Sequence, residues 1–350
     1  MSIELLPFDP LRASEKEWAR FHEYRRKRYA EHSPGEAIID DSTIERTWRD
    51  YSDTYEIHAF VVLEAGKTEK QIGLVNFAYF RTDNPSYETN KHTSLILNFE
   101  LLDAFRRKGI GRKLLGKVAE LAKEHNKSLI IGWTTEADGK AFIRAIEAEE
   151  GLIEIDLRLS IDRLDWDLVE QWVRQGSERS PYSELTIYQT IPDDIIEPFC
   201  QLFTEIRNQE PRGGLHYEDE VHTPGERRKW EAYFADIGAT LLTAIIKEPN
   251  DDLSGFTGMI YLPSKKTRID QVTTGVREQY RGTGKAKWLI AAMLLKIRED
   301  FSQVAVVRTE TANINAPMIA INNQLGFKSY KETLYAQITL KALEKYLEKS

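Results

Sequence analysis

Apolar positions along the chain follow two periods. Short, β-rich runs occur at Ala59-Phe60-Val61-Val62-Leu63, Ser94-Leu95-Ile96-Leu97 and Ser128-Leu129-Ile130-Ile131-Gly132, and again at Leu241 to Ile246, Asp270 to Val276 and Val304 to Val307; such runs predict strands. Between them, Leu114, Leu115, Val118, Leu121 and Ala122, and later Leu289, Met293 and Ile297, keep helical spacing and predict helices with one apolar stripe. The order strand, glycine turn, helix, strand therefore appears twice. Gly109 and Gly284 are 175 residues apart, half of the 350-residue chain, which predicts a duplicated unit rather than one large core. The pattern predicts two domains of mixed-sheet α/β (α+β) type, 1–165 and 166–350. A helical stretch lies in the connection, with Leu164, Leu168 and Trp172 on one face and a stop at Gln175-Gly176-Ser177.

Composition narrows the partners. With 41% apolar and 30% charged residues the chain has the balance of a folded globular protein, and its net charge of −8 gives no whole-chain basis for gripping nucleic-acid phosphates. No run approaches the roughly 18–20 apolar residues of a membrane span, and MSIELLPFDPLRASEKEW carries no basic stretch leading into an apolar one. A cytoplasmic protein with no nucleic-acid or membrane partner is expected. The single cysteine, Cys200, excludes an internal disulfide and a CxxC motif, and reads as core filler. His216 and His222 beside Glu218, Asp219 and Glu220 match no standard metal signature, so no metal is expected.

The glycine turns carry the chemistry. Arg106-Arg107-Lys108-Gly109-Ile110-Gly111 and Arg281-Gly282-Thr283-Gly284-Lys285-Ala286 each open a predicted helix. Free N–H groups and the positive end of the helix dipole favour an anion there, and a glycine lets the backbone approach it closely. Neither turn is a P-loop, because Lys285 is followed by Ala286 and no hydroxyl remains for magnesium. Neither has the G-x-G-x-x-G spacing of a dinucleotide turn, since Leu114 and Lys287 stand where its third glycine belongs.

Both hexapeptides resemble the pyrophosphate motif [Q/R]-x-x-G-x-[G/A] of the GNAT superfamily of N-acetyltransferases, and the pair in register is similar to the tandem, mycothiol-synthase-like bacterial members. The resemblance implies two GNAT-like domains that bind acetyl-CoA as co-substrate through the backbone of residues 106–111 and 281–286. It also implies acetyl transfer to a primary amine of a small molecule or peptide. The segment Thr309 to Phe327 is similar to the family's later acyl-CoA segment, T-x-x-x-x-x-N-x-x-M-x-x-x-N-x-x-L-G-F. This implies a pantetheine contact for Asn315, although the same Asn ahead of Ala316-Pro317 also reads as a helix cap. The first half lacks a matching Asn between Thr134 and Phe142, and Glu149-Glu150-Gly151-Leu152 matches the L-G-F turn only loosely. The resemblance thus implies a degenerate first domain and catalysis in the second.

Direct transfer needs a base to neutralise the amine, an acid near the departing sulfur and a strand N–H to polarise the thioester. The resemblance puts the last at Val276 or its neighbours. Tyr330 and Tyr335 follow the L-G-F turn, where the family often keeps its acid, and each equally reads as a half-buried strand aromatic. The family's more common acid position, four residues before the turn glycine, holds Asn322. Asp270 on the strand before the second turn and Glu218 in the acidic run are the base candidates, the bland alternative for Glu218 being a solvated loop charge. A non-catalytic acyl-CoA-binding or scaffolding protein remains the rival to an enzyme.

Overall fold

The computed structural model describes residues 2–67 and 70–349. They form two compact units, Met1–Gly151 with Gly214–Glu218 and Leu334–Ser350, and Leu152–Gly213 with Asp219–Thr333. In the first unit the chain runs β1 (Ile3–Phe8), α1 (Glu15–His32), α2 (Asp41–Thr54), β2 (Tyr55–Glu64), β3 (Gln71–Phe80), α3 (Tyr87–Asn90), β4 (Thr93–Leu101), α4 (Ile110–Glu124), β5 (Leu129–Thr134) and α5 (Ala137–Ala145). In the second it runs β6 (Glu149–Ser160), α6 (Trp166–Arg179), β7 (Glu184–Tyr188), α7 (Ile196–Asn208), α8 (Pro224–Asp236), β8 (Thr240–Lys247), β9 (Leu253–Tyr261), β10 (Arg268–Val276), α9 (Lys285–Asp300), β11 (Val306–Ala312) and α10 (Ala316–Leu325). The chain then ends with β12 (Lys328–Thr339) and α11 (Leu340–Glu348).

The units are not the contiguous halves 1–165 and 166–350. The first unit's strands pair in the order β1-β2-β3-β4-β5, and residues Leu334–Thr339 of β12 then pair antiparallel with β5. In the second unit, Glu154 to Ser160 of β6 pair antiparallel with β11, which continues through β10, β9 and β8 to β7. Each sheet thus takes a strand from the far side of the expected cut. A strand adjacent in space needs only a matching apolar face, so sequence proximity does not decide the pairing.

Alternation along the strands places helices on both faces of each sheet. In β2, Val61 and Leu63 join Trp18, Phe21 and Tyr24 of α1, whereas Phe60 and Val62 join Leu114, Val118 and Ala122 of α4. In the second unit, Ala244 and Ile246 of β8 join Leu289 and Met293 of α9, and Ile245 joins Phe199 and Leu202 of α7. Helix α6 runs through its expected stop. Gly176 lies inside it, and a Cβ there would come within 2.3 Å of Trp288 on α9, so this glycine serves close helix packing rather than termination.

Candidate functional site

The two glycine turns share one backbone. In each, a short 3-10 turn (Asp103–Phe105, Glu278–Tyr280) leads to an extended Arg106 or Arg281, then to left-handed residues at two positions. These are Arg107 (φ 59°) and Gly109 (φ 76°) in the first unit, and Gly282 (φ 76°) and Gly284 (φ 90°) in the second. Gly109 and Gly284 are the N-caps of α4 and α9, and neither helix start has a capping side chain. Their first N–H groups have no intrahelical acceptor, which is the arrangement that receives an anion. A Cβ on Gly111 would approach Phe142 to 3.1 Å, whereas Ala286 packs at the edge of its unit's core.

Each turn follows two parallel strands that part company. β4 and β5 pair from Thr93/Leu129 to Ile96/Gly132, and β10 and β11 from Arg268/Val306 to Asp270/Arg308. The remaining lengths, Leu97 to Leu101 and Gln271 to Val276, have no ladder partner on that side among the described residues. In both units the parting coincides with a register shift against the other neighbour, at Asn76/Phe77 opposite β4 and at Gln271/Thr274 in β10. A bulge bends the strand and frees backbone groups beside the opening. In each unit two parallel strands thus stop pairing on the approach to an uncapped helix N-terminus.

The side chains at the two mouths differ. Arg106 and Arg281 donate alike from Nε, to the carbonyls of Leu101 (3.3 Å) and Val276 (3.1 Å). Arg106 then crosses to Glu136, the residue before α5, at 2.7 Å, and Glu136 also holds the buried Arg28 and approaches His32. In the second unit Arg281 instead donates to Gln209 beyond α7. The Lys285 side chain takes no part at the mouth. Its ammonium turns inward, 4% exposed, to Glu248 at 2.9 Å and Ser180 at 2.9 Å, so only its backbone remains for a ligand. Lys108 donates to the Ala104 carbonyl, and the Thr283 hydroxyl to the Tyr280 carbonyl. Asn315 caps α10, its side chain accepting from Met318 N–H at 3.4 Å.

The four catalytic candidates do not belong to one unit. Tyr335 and Glu218 lie in the first, Tyr330 and Asp270 in the second. Tyr335 pairs across strands with Trp133 of β5, Tyr330 is half exposed with the Arg158 guanidinium 3.3 Å from its ring centre, and Asp270 is ion-paired with Arg268 at 2.9 Å. The acidic run divides, for Glu218 donates its N–H to Asn90 while Glu220 stays in the second unit, its N–H and carbonyl both clipped to Asn208. Asn208 precedes the Gln209 that holds Arg281. Burial raises the carboxyls of Glu210 and Glu220, and burial lowers His222 to about 4. Raised carboxyls and a neutral imidazole beside a ligand mouth are groups suited to proton transfer.

Two features escape a reading of the sequence. Glu100 of β4, 175 residues before Gly275, accepts from the buried Tyr24 at 3.3 Å and from Asn98 at 3.3 Å. A Cβ on Gly275 would meet Ile206 at 2.2 Å, so the second unit has no room for a carboxylate there. The other is the turn after α5. Ala148 N–H bonds Ile143 O and Glu147 N–H bonds Arg144 O, as Phe327 bonds Asn322 and Gly326 bonds Asn323 after α10. Ile146-Glu147-Ala148, not Glu149-Glu150-Gly151-Leu152, is therefore the first unit's equivalent of Leu325-Gly326-Phe327. Glu147 takes the left-handed position (φ 57°) that Gly326 takes at 91°.

Residues 17–148 match the model of the acetyltransferase (GNAT) family. Among solved structures, the chain is similar to a tandem GNAT protein from the clavulanic acid biosynthesis pathway, at 19% identity and TM-score 0.74 over 97% of this chain and 99% of that one. It is similar over 97% of its length to a GCN5-related N-acetyltransferase from Sphaerobacter thermophilus (12% identity, TM-score 0.60, 96% of that chain). It is also similar over 96% of its length to Saccharomyces cerevisiae N-myristoyltransferase (9% identity, TM-score 0.57, 78% of that chain). No curated protein sequence matches the chain.

Proposed function

We propose that this chain, which matches the GNAT family over residues 17–148 and has the fold of a tandem GNAT protein, is an acyltransferase that transfers an acetyl group from acetyl-CoA to a primary amine, with the coenzyme held at the second unit's turn, Arg281 to Ala286. The observation that carries this reading is the pairing of an uncapped, left-handed glycine turn with parted strands, at a turn whose Arg281 makes no ion pair among the described residues. The first unit has the same backbone, but Arg106, Glu136 and Arg28 tie its mouth together.

The turn N–H groups take the pyrophosphate, and the unpaired edge of Gln271 to Val276 supplies donors for the arm and for the thioester oxygen. The amine nitrogen forms its bond to the acyl carbon, the carbon–sulfur bond breaks, and the amine proton passes to a base while the thiolate takes up a proton. We take Glu220, with His222 beside it at 3.8 Å, as the base in place of Glu218, because it stays with this unit and its carboxyl is raised by burial. Asp270 is committed to Arg268, and Tyr335 belongs to the other unit; Tyr330 is retained as the candidate acid.

Calorimetric titration of the full chain with acetyl-CoA tests the reading without an acceptor. Binding that Gly284→Glu abolishes and Gly109→Glu weakens less than threefold is the expected result. Equal loss from both substitutions, or no binding up to millimolar ligand, would remove the second unit as the coenzyme site. Once an acceptor is found, Glu220→Gln should lower kcat by about 100-fold; an unchanged kcat would remove it as the base.

A further inference from the structure

The cations of the second turn's own sequence are largely committed elsewhere. Lys285 is buried against Glu248, Lys287 donates to Gln324, and Arg281 is held by Val276 and Gln209. One guanidinium nevertheless reaches the turn. Arg179, in the last turn of α6, places Nη1 3.2 Å from the position a Cβ would take on Gly284. It is exposed, and its side chain has no hydrogen bond or ion pair among the described residues. The space left by the missing side chain of a left-handed N-cap thus holds an uncommitted cation, beside helix N–H groups that also lack partners. In the first unit, nothing lies within 4 Å of the equivalent point on Gly109.

We propose that Arg179 is a phosphate-contacting residue of the coenzyme site, closing on the pyrophosphate from the side opposite the turn's N–H groups. This inference rests on the acyl-CoA reading above. Two physical facts carry it. A guanidinium holds paired phosphate oxygens with planar, forked donors, which backbone N–H groups alone do not supply. And α6 is fixed where it lies, because Gly176, one turn before Arg179, is packed against Trp288 of the very helix whose N-terminus forms the turn. The rigid α6–α9 contact therefore sets the distance between Arg179 and Gly284, while the long side chain stays free to swing onto a ligand. It follows that the hexapeptide is an incomplete description of the site, and that the segment ahead of β7 contributes to coenzyme affinity.

The test compares CoA and dephospho-CoA titrations of the full chain with those of Arg179→Gln, Arg179→Lys and, as a control of equal charge change on the same helix, Arg174→Gln. Arg179→Gln should weaken both ligands about tenfold, which corresponds to about 1.4 kcal/mol. Arg179→Lys should recover part of that loss, and Arg174→Gln should stay within twofold of the parent. The thermal midpoint of ligand-free Arg179→Gln should not move, since the exposed side chain makes no hydrogen bond or ion pair among the described residues. Parent-like affinity of Arg179→Gln, an equal loss with Arg174→Gln, or a loss confined to CoA and absent for dephospho-CoA would each overturn the assignment. Failure of the parent chain to bind either ligand would instead overturn the acyl-CoA reading itself.

Discussion

Lys285 stands in the middle of the anion turn and yet faces away from it, which gives a sharp prediction. Its ammonium and the Glu248 carboxylate are 4% and 9% exposed and 2.9 Å apart, with Ser180 and Ser183 completing the shell. Burial alone would push Glu248 up, but hydrogen bonds from Ser183, Ser254 and Lys285 outweigh it and hold the carboxyl below its usual range. Lys285→Met leaves that carboxylate buried with its cation gone, a loss of about 3–5 kcal/mol. Removing both charges, as Lys285→Met/Glu248→Leu, should return most of it. Urea unfolding followed by tryptophan fluorescence is a suitable readout, because Trp288 lies on the same helix. Acetyl-CoA affinity of the folded single variant should stay within threefold, since the backbone N–H of residue 285 is retained. A stability loss under 1 kcal/mol together with a tenfold or greater loss of affinity would refute the inward assignment. The pair also fixes a direction with pH. Because the folded carboxyl is depressed, its contribution is complete above the unfolded value of about 4.3 and disappears as pH falls through the lower folded value.

Other consequences follow from backbone and burial. Arg107 holds a left-handed conformation that its counterpart Gly282 adopts without strain; Arg107→Gly should stabilise the first unit by about 0.5–1 kcal/mol, the relief of roughly 1–2 kcal/mol being partly offset by glycine's chain entropy, and an unchanged or lower thermal midpoint would contradict this. Gly176→Ala drives a Cβ into Trp288 and should destabilise the second unit by about 1–3 kcal/mol, read as an earlier urea midpoint. His222 is held near 4 by burial, below its unfolded value of about 6.5. The unfolded chain therefore binds the extra proton first, and stability of the second unit should fall as pH drops from about 6.5 towards 4; His222→Phe should flatten that slope, and an unaltered slope would place the effect elsewhere.

What the sequence disclosed was whatever is written locally. The repeat at 175 residues, the strand–turn–helix order and the capping role of Asn315 depend on neighbours within a few positions, and their periodicity and glycine placement are visible in the letters. The strand exchange was not visible. β6 and β12 carry ordinary alternation that fits either sheet, and only the pairing of Glu154 to Ser160 with β11 and of Leu334 to Thr339 with β5 assigns them. The turn after α5 was hidden for a different reason, since Glu147 occupies a conformation in which glycine is the usual signal. Gly176 misled in the opposite sense, reading as a stop while sitting inside a helix. The inward turn of the Lys285 side chain was not legible, because its partner, Glu248, is brought to it only by tertiary packing.

The proposed division of labour between the units turns on side-chain ends, for the turn backbone is the same in both. Arg106 and Arg281 make the same bond to the same strand carbonyl, and their outer ends then go to Glu136 in one unit and to Gln209 in the other. At the corresponding strand position the first unit has a carboxylate, Glu100, fixed by Tyr24, and the second has Gly275 covered by Ile206. A coenzyme bound at the second turn, as proposed, therefore has no carboxylate at that strand position, and Asp270 on the same strand is paired with Arg268. The proposed proton acceptor lies in the segment that follows α7, where Glu220 and His222 are half-buried and Asn208 holds Glu220 next to the residue that anchors Arg281. That link makes the base position dependent on the coenzyme turn. A substitution at Gln209 that releases Arg281 is accordingly expected to disturb kcat as well as the affinity for coenzyme, whereas a base on the strand itself would have kept the two independent.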